Sequence, residues 1–438
     1  MSVSGSHHVV IVGGGFAGLF AAKKLGGSGY RVTLLDKRNF HLFQPLLYQV
    51  ATGSLVVGDI ATPQRAVLRR YKNVQALMAT VYDLDPEQKI VYYEGGETSY
   101  DTLLVATGVK HHYFGKEHWR DYAPGLKTAE HALEMRRKIF AAYEHAELED
   151  NPARRAALMA FVVVGGGPTG VELAGALGEI ARHTMVKDFR RINTRQSRIL
   201  LIEGTPHILP SYPDKLRRAA RRMLEELGVE VITDTLVDDI GPGTVRIRQK
   251  TGDSRVITAE TVLWAAGVKA SAFGEALAQR TDKMLERSGK LKVSPDLSLP
   301  DYPDIFVVGD LAHCEDAAGK IVPGVAQGAI QGGRYVAKLL INRKRGKATP
   351  PFRYRDLGSM AVIGRNRAVA DLGFIKTSGI IAWFLWAGIH IIALIDPEQR
   401  INVFLHWVWK YFTYKNGSRL VTGDPPNTEE VRSRYGSA

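Results

Sequence analysis

The chain has 438 residues, one cysteine and a formal net charge of +13. That length accommodates two or three domains with sizeable cores, and a lone Cys314 excludes both an internal disulfide and a redox-active cysteine pair while fitting a reducing compartment. The positive charge suits an acidic partner such as nucleic acid or an anionic bilayer surface, although stretches like KLRRAARR (215–222) read more simply as solvated helix faces.

No apolar run precedes HHVVIVGGG, so no secretory signal is expected. HVVIVGGGFAGL then runs a β-branched strand into Gly13, Gly15 and Gly18 in G-x-G-x-x-G spacing, with Gly14, Phe16 and Ala17 between. In such a turn the first glycine makes the bend and the second admits backbone to a pyrophosphate. The third allows close helix–strand packing, with the helix N-terminus facing the anion. The next strand, YRVTLLDK, ends at Asp36, where a carboxylate accepts from ribose hydroxyls. A further buried strand, YDTLLVATGVK, brings this unit to about residue 121.

A linker rich in Ala, Glu and Arg (122–157) reads as helical, with a break at Asn151-Pro152. Residues 158–270 then repeat the first plan. AFVVVGGGPTGVELAG carries Gly165, Gly167 and Gly170, and RILLIEG ends at Glu203 after a longer, basic interval. A carboxylate there welcomes a free 2′-hydroxyl and repels a 2′-phosphate, so NADH is expected in preference to NADPH. The closing TVLWAAGVKA echoes LLVATG, making the duplication legible from one sequence. The fold expected is α/β, with two Rossmann-like dinucleotide-binding domains.

Beyond residue 290, FVVGD ends a strand at Asp310, placed to hold ribityl or phosphate-side hydroxyls of the first nucleotide, which fits FAD. A helix opening near Ala326 can aim its positive end at the flavin N1 and C2 carbonyl. The first sheet has too few strands before the linker, so the 290–350 segment is expected to complete it. In this helix Gln327 and Gln331 lie four apart on one face; they are either surface glutamines or amides for a carbonyl-bearing substrate such as a quinone. Glu172, read in the first turn of its helix, either answers the helix dipole or sits near the nicotinamide and relays a proton. Two dinucleotides without a cysteine pair or metal-ligand cluster leave hydride transfer from nicotinamide to flavin as the simplest chemistry.

The most apolar stretch, SGIIAWFLWAGIHIIALI (378–395), would span roughly 27 Å as a helix, short of a ~30 Å hydrocarbon core. RINVFLHWVWKYFTYK (400–415) mixes aromatic and basic residues. The pair reads as two interfacial helices with Lys410 and Lys415 near anionic headgroups. A buried dimer interface and a single spanning helix are the alternatives.

Together with HLFQPLLYQVATG (41–53), GPTGVELAG (167–175), VVGD (307–310), AQGAIQGGRY (326–335) and the aromatic tail, these motifs make the chain resemble the bacterial type II, non-proton-pumping NADH:quinone oxidoreductases over nearly its whole length. The resemblance implies non-covalent FAD held by Gly13 to Gly18, Asp36, Lys37, Gln44, Pro45, Thr52, Val81, Thr107, Gly108, Asp310, Ala326 and Gln327. It implies NADH held by Gly165, Gly167, Pro168, Thr169, Gly170, Glu172, Glu203, Ala266 and Gly267. By the same likeness a quinone, ubiquinone or menaquinone, meets Gln44, Pro45, Gln327, Gln331 and Lys376, with Lys376 closing its tunnel. Glu172, Gln327 and Gln331 are the implied catalytic candidates, Glu172 for protons.

The implied domains are 1–121 with 271–350 for FAD, 158–270 for NADH, and 351–438 as a membrane-anchoring region that touches the bilayer through 378–415. The implied setting is the cytoplasmic face of the cell membrane, as a homodimer without a nucleic-acid partner. No metal is expected, and the lack of an EF-hand-like loop argues against calcium control. Two rivals remain: a soluble reductase passing electrons to an iron–sulfur protein, and an NADH-sensing interaction protein. Sulfide as donor is disfavoured because Cys314 stands alone.

Overall fold

A computed structural model describes residues 6–317 and 319–423; residues 1–5 and 424–438, the outer ends of the first and last regions expected from sequence, lie outside the described residues. The strand His8–Val12 is buried at every position, which suits its β-branched HVVIV to the middle of a sheet covered on both faces. It sits between Arg31–Asp36 and Thr102–Val105, both parallel to it. The full order is Ser298–Leu299, Tyr302–Val307, Thr102–Val105, His8–Val12, Arg31–Asp36, Val74–Met78. The chain therefore leaves this sheet after residue 105 and returns at residue 298 to extend it, Tyr302–Val307 pairing with Thr102–Val105.

Between those points lies a second sheet, all parallel, in the order Val229–Ile232, Arg198–Ile202, Ala160–Val164, Thr261–Trp264. The linker forms the helices Ala129–Leu148 and Pro152–Leu158. The second starts at Asn151, whose side chain accepts from the amides of Ala153 and Arg154 at 2.9 and 3.1 Å. The two units are joined by a small antiparallel pair, Val109–His111 against Val268–Ala270, each strand following one of the duplicated endings.

Helix Phe16–Leu25 packs along helix Ala326–Lys344. Contact is close because a Cβ on Gly333 would collide with the Ala17 carbonyl. After the glutamine helix come three antiparallel strands, Ser359–Gly364, Arg367–Asp371 and Lys376–Ser378. They lie on helix Pro168–Glu179, where Gly175 abuts the Ile363 carbonyl. Two tail helices follow, Ile380–Ala393 and Pro397–Thr413. Among the described residues no helix is long and apolar enough to cross a membrane. Trp386, Val403 and Trp407 from the tail share one buried cluster with Phe161 and Val163 of the second sheet, so the tail is part of the core.

Candidate functional site

The two glycine turns are near copies. Gly13 has φ +102 and Gly165 φ +108, and a Cβ on Gly13 would lie 2.5 Å from the Ala106 carbonyl oxygen. A Cβ on Gly18 or Gly170 would strike the carbonyl of Gly13 or Gly165, so both helices lie against their own turns. Gly15 and Gly167 cap the helices without any side-chain capping bond, and open space faces both. Each turn thus presents uncapped backbone amides at a positive helix end, a cradle for a pyrophosphate.

The ribose carboxylates are copies as well. Asp36 Oδ2 accepts from the Gly14 amide at 2.5 Å and Glu203 Oε2 from Gly166 at 2.6 Å. Their second oxygens accept from Arg38 at 2.7 Å and from Thr205 at 2.8 Å. Both acids are locked at the ends of their strands. Gly108 and Gly267, at the ends of the duplicated segments, have φ +64 and +65.

Around the first cradle, His41 is buried and its Nδ1 lies 3.2 Å from the Gly14 carbonyl, while Nε2 has no partner. Burial pushes its pKa down to about 4, so the ring is neutral. An orphaned ring nitrogen beside the turn is the kind of group a bound flavin nucleotide would satisfy. Asp310 meets Lys127 at 3.6 Å and the exposed Gln44 donates to the Lys127 carbonyl at 3.1 Å, so these residues share one rim. Thr107 Oγ1 lies 2.7 Å from Ser271 Oγ, and buried Thr52 donates to the Tyr48 carbonyl at 2.9 Å. Val81 opens the strand Val81–Asp85, and Lys37 is exposed beyond Asp36. Around the second cradle, Pro168 and Thr169 are exposed in the first turn of the helix, and Ala266 precedes the left-handed Gly267.

Glu172 is not in that first turn. The helix begins at Pro168, which puts Glu172 fifth and removes the dipole explanation, because the terminal field fades within one turn. It faces a small pocket of about 60 Å³ with Tyr48 and Gln49 from the first unit, Arg365 from the three-stranded sheet, and Trp383 and Trp407 from the tail. Burial raises the Glu172 pKa well above the usual carboxylate range, opposed only by a hydrogen bond to the Val362 backbone. Tyr48 is likewise raised, by burial first and then by Glu172. The Tyr48 hydroxyl accepts from Gln49 Nε2 at 2.8 Å, and Gln49 Oε1 accepts from Trp407 Nε1 at 2.8 Å. The pocket can therefore hold a proton on a carboxylic acid beside a neutral phenol.

Gln49, Arg365 and Trp407 were not singled out in the sequence. Tyr48 and Gln49 sit inside the QPLLYQVATG run, but Gln49, Trp407 and Arg365 become partners only when the tail folds back. His390, also on the tail, stacks edge-on to Phe43 and donates from Nδ1 to the Trp386 carbonyl, which are separated by 2.8 Å. Burial brings its pKa down to about 4.

The glutamine pair is engaged. Gln327 donates to the Gly358 carbonyl at 2.8 Å and accepts from the Leu357 amide at 3.0 Å. Gln331 does the same with Arg355, at 2.8 and 2.9 Å. Both amides act as extra rungs for the extended segment 355–358. Lys376 lies on an exposed strand and pairs with Asp371 at 3.5 Å, outside the Glu172 pocket. Lys410 also departs from expectation. It turns inward to Glu179 at 3.4 Å and Ser54 at 3.0 Å, because buried Glu179 needs a cation nearby.

Residues 7–333 match the pyridine nucleotide-disulphide oxidoreductase family, and residues 357–415 match the NDH2 C-terminal domain. The type II NADH:quinone oxidoreductase Ndh of Mycobacterium tuberculosis is 43% identical over 424 residues, covering 95% of this chain and 90% of that protein. The structure of NDH2 from Plasmodium falciparum in complex with NADH superposes with a TM-score of 0.86 at 20% identity, over 95% of this chain and 100% of that one. The sulfide:quinone oxidoreductase of Aquifex aeolicus reaches a TM-score of 0.72 at 20% identity, over 98% of this chain and 96% of the other. The two dinucleotide turns, the returning sheet strand and the tail that closes on Glu172 thus have whole-chain counterparts, and the chain belongs to the type II NADH:quinone oxidoreductases.

Proposed function

We propose that this protein is a flavoenzyme that oxidises NADH and reduces a membrane quinone to quinol at the bilayer surface, without moving protons across it. The observation that carries this reading is the Glu172 pocket, where the second nucleotide fold, the first fold and the tail helices meet. FAD, bound in the first cradle, would supply an isoalloxazine that takes two electrons from reduced nicotinamide and passes them on.

The chain's own residues supply the rest. Gly13 to Gly18 and Asp36 bind the FAD pyrophosphate and ribose. Gly165 to Gly170 and Glu203 bind NADH, with Glu203 setting the preference against a 2′-phosphate. Glu172, whose pKa burial raises well above the usual carboxylate range, offers its carboxyl as a proton carrier for the reduced site and for quinol formation. Gln327 and Gln331 hold segment 355–358 at the mouth of the first site, and Gln44, Pro45 and His390 line the approach from the tail.

The tail helices support contact with a bilayer. Their outward side chains include Ile392 at 72% exposure and Phe412 at 77%, alongside exposed Ile381, Phe384, Ile401, Leu405 and Trp409, and a cluster of exposed apolar side chains on two adjacent helices marks an interaction surface. A sulfide donor is not favoured despite the shared fold, since Cys314 is alone, buried, and its thiol is pushed up to about 11. The test is direct. Purified protein carrying FAD should reduce a short-chain quinone with NADH; FAD retention without quinone reduction would overturn the reading.

A further inference from the structure

The inward turn of Lys410 leaves the exposed apolar rows of the tail with little positive charge of their own. The charge lies elsewhere. Residues 13–35, 60–82 and 317–355 contain sixteen lysines and arginines and no aspartate or glutamate, more than the net +13 of the whole chain. The remainder of the protein is slightly acidic.

These three stretches, distant in sequence, fold onto one domain. Helix Phe16–Leu25 packs on helix Ala326–Lys344 and touches helix Gln64–Leu68. One surface groove is lined by Arg31, Arg65, Arg69 and Lys72. Lys23 and Arg334 both lie over the Phe20 ring, at 5.3 and 4.8 Å. Burial, followed by the like charges of Arg70 and Arg334, lowers the Lys23 pKa, so this cluster joins the groove residues. Arg343 and Lys320 have carboxylate partners in Asp296 and Asp356. Lys23, Arg65, Arg69, Arg70, Lys72 and Arg334 form no ion pair among the described residues.

The basic face also adjoins the tail. Helix Pro397–Thr413 is stitched to residues 58–62: Gln399 Nε2 donates to the carbonyls of Gly58 and Ala61 at 3.0 and 2.9 Å, and Thr62 Oγ1 donates to Gln399 Oε1 at 2.9 Å. Arg65 is three residues beyond that stitch, within about 10 Å along the chain. The basic face therefore begins where the exposed apolar row of Ile401, Phe404 and Leu405 begins.

We propose that this basic face of the first nucleotide domain docks on an anionic lipid bilayer surface, flanking the apolar faces of the tail helices. The proposal rests on the membrane reading above and adds the headgroup chemistry and the residues that read it. Lipid fits better than nucleic acid because the basic face is continuous with apolar side chains, and a bilayer surface offers both phosphates and hydrocarbon at those depths. A nucleic acid would leave the apolar row in water.

The test is flotation of the FAD-loaded full chain with vesicles of phosphatidylcholine alone and of phosphatidylcholine mixed with phosphatidylglycerol. Wild type should bind both, the anionic vesicles at least about tenfold more strongly at low salt, with the excess fading as salt rises. The variant Arg65→Gln, Arg69→Gln, Arg70→Gln, Lys72→Gln should keep binding to neutral vesicles and lose the excess by about tenfold or more. A control with Lys187, Arg195, Arg218 and Arg222 changed to Gln carries the same net charge on the other domain and should keep the excess. An equal loss in that control, no preference for anionic vesicles, or variant-sensitive binding to duplex DNA in their place would each overturn the proposal. Wild type binding neither vesicle would overturn the membrane reading itself, whereas binding neutral vesicles without an anionic excess would overturn only this inference.

Discussion

Gln331 and Arg355 are joined twice: the Gln331 amide nitrogen donates to the Arg355 carbonyl at 2.8 Å and the Arg355 amide donates to the Gln331 carbonyl oxygen at 2.9 Å. A primary amide used this way imitates a strand partner, and Gln327 repeats the arrangement with Leu357 and Gly358. The pair therefore fixes a segment of backbone against the helix Ala326–Lys344.

Gln331→Leu should break both bonds while keeping most of the volume. Because the sites are exposed and water replaces the partners, the stability cost should be modest, about 1 kcal/mol. Thermal unfolding measures that cost. Stopped-flow reoxidation of the flavin by quinone should slow, while reduction by NADH stays as in wild type; an unchanged reoxidation rate would show that the segment does not shape the acceptor side.

Glu203 is fixed by two backbone amides, so replacing it removes a negative charge that cannot move away from a 2′-phosphate. Glu203→Lys should raise KM for NADH and lower it for NADPH, shifting the kcat/KM ratio toward NADPH by about tenfold or more. Retained preference for NADH would place the ribose elsewhere.

Glu172 has a folded-state pKa raised above its ordinary 4.5. The folded protein holds this proton more tightly than the unfolded chain does. The stability this contributes is fully present below the unfolded pKa and is lost as pH rises toward the folded value. Glu172→Gln removes the titration, so stability should fall less from pH 5 upward than in wild type, as read by Tm across pH. The same variant should flatten the pH dependence of quinol formation if Glu172 supplies protons.

Gly170→Ala forces a Cβ into the Gly165 carbonyl, whereas Gly18→Ala does so at Gly13. The first change should weaken NADH while leaving bound FAD, seen as a normal flavin absorbance with slow reduction. The second should yield protein with little flavin. Loss of FAD in both variants would mean that the two cradles do not fold separately.

The last tail helix exposes Phe404 and Trp409 while Val403 and Trp407 are buried. Phe404→Asp with Trp409→Asp should reduce partition onto neutral vesicles at least about tenfold, since each charge must be kept out of hydrocarbon. Solution activity with a water-soluble quinone analogue should remain.

Local order fixes much of this protein. Strand, turn and helix around Gly13 to Gly18 and Gly165 to Gly170 are neighbours in the chain, and the carboxylates Asp36 and Glu203 close their strands. Their chemistry therefore shows in residue type and spacing. The break in the linker at Asn151-Pro152 was legible for the same reason.

What tertiary structure decided are relations across long sequence distances. Glu172 became a half-buried acid in a pocket it shares with Tyr48 and Trp407, 124 residues before and 235 after. Lys410, read as a headgroup ligand, was drawn inward because a buried Glu179 without a cation is costly. Gln327 and Gln331 looked free because helical spacing reports only which face a residue occupies, and the backbone that meets them there starts 24 residues further on. The acid-free stretches were always visible in the sequence, but only packing of three separate segments makes them one face.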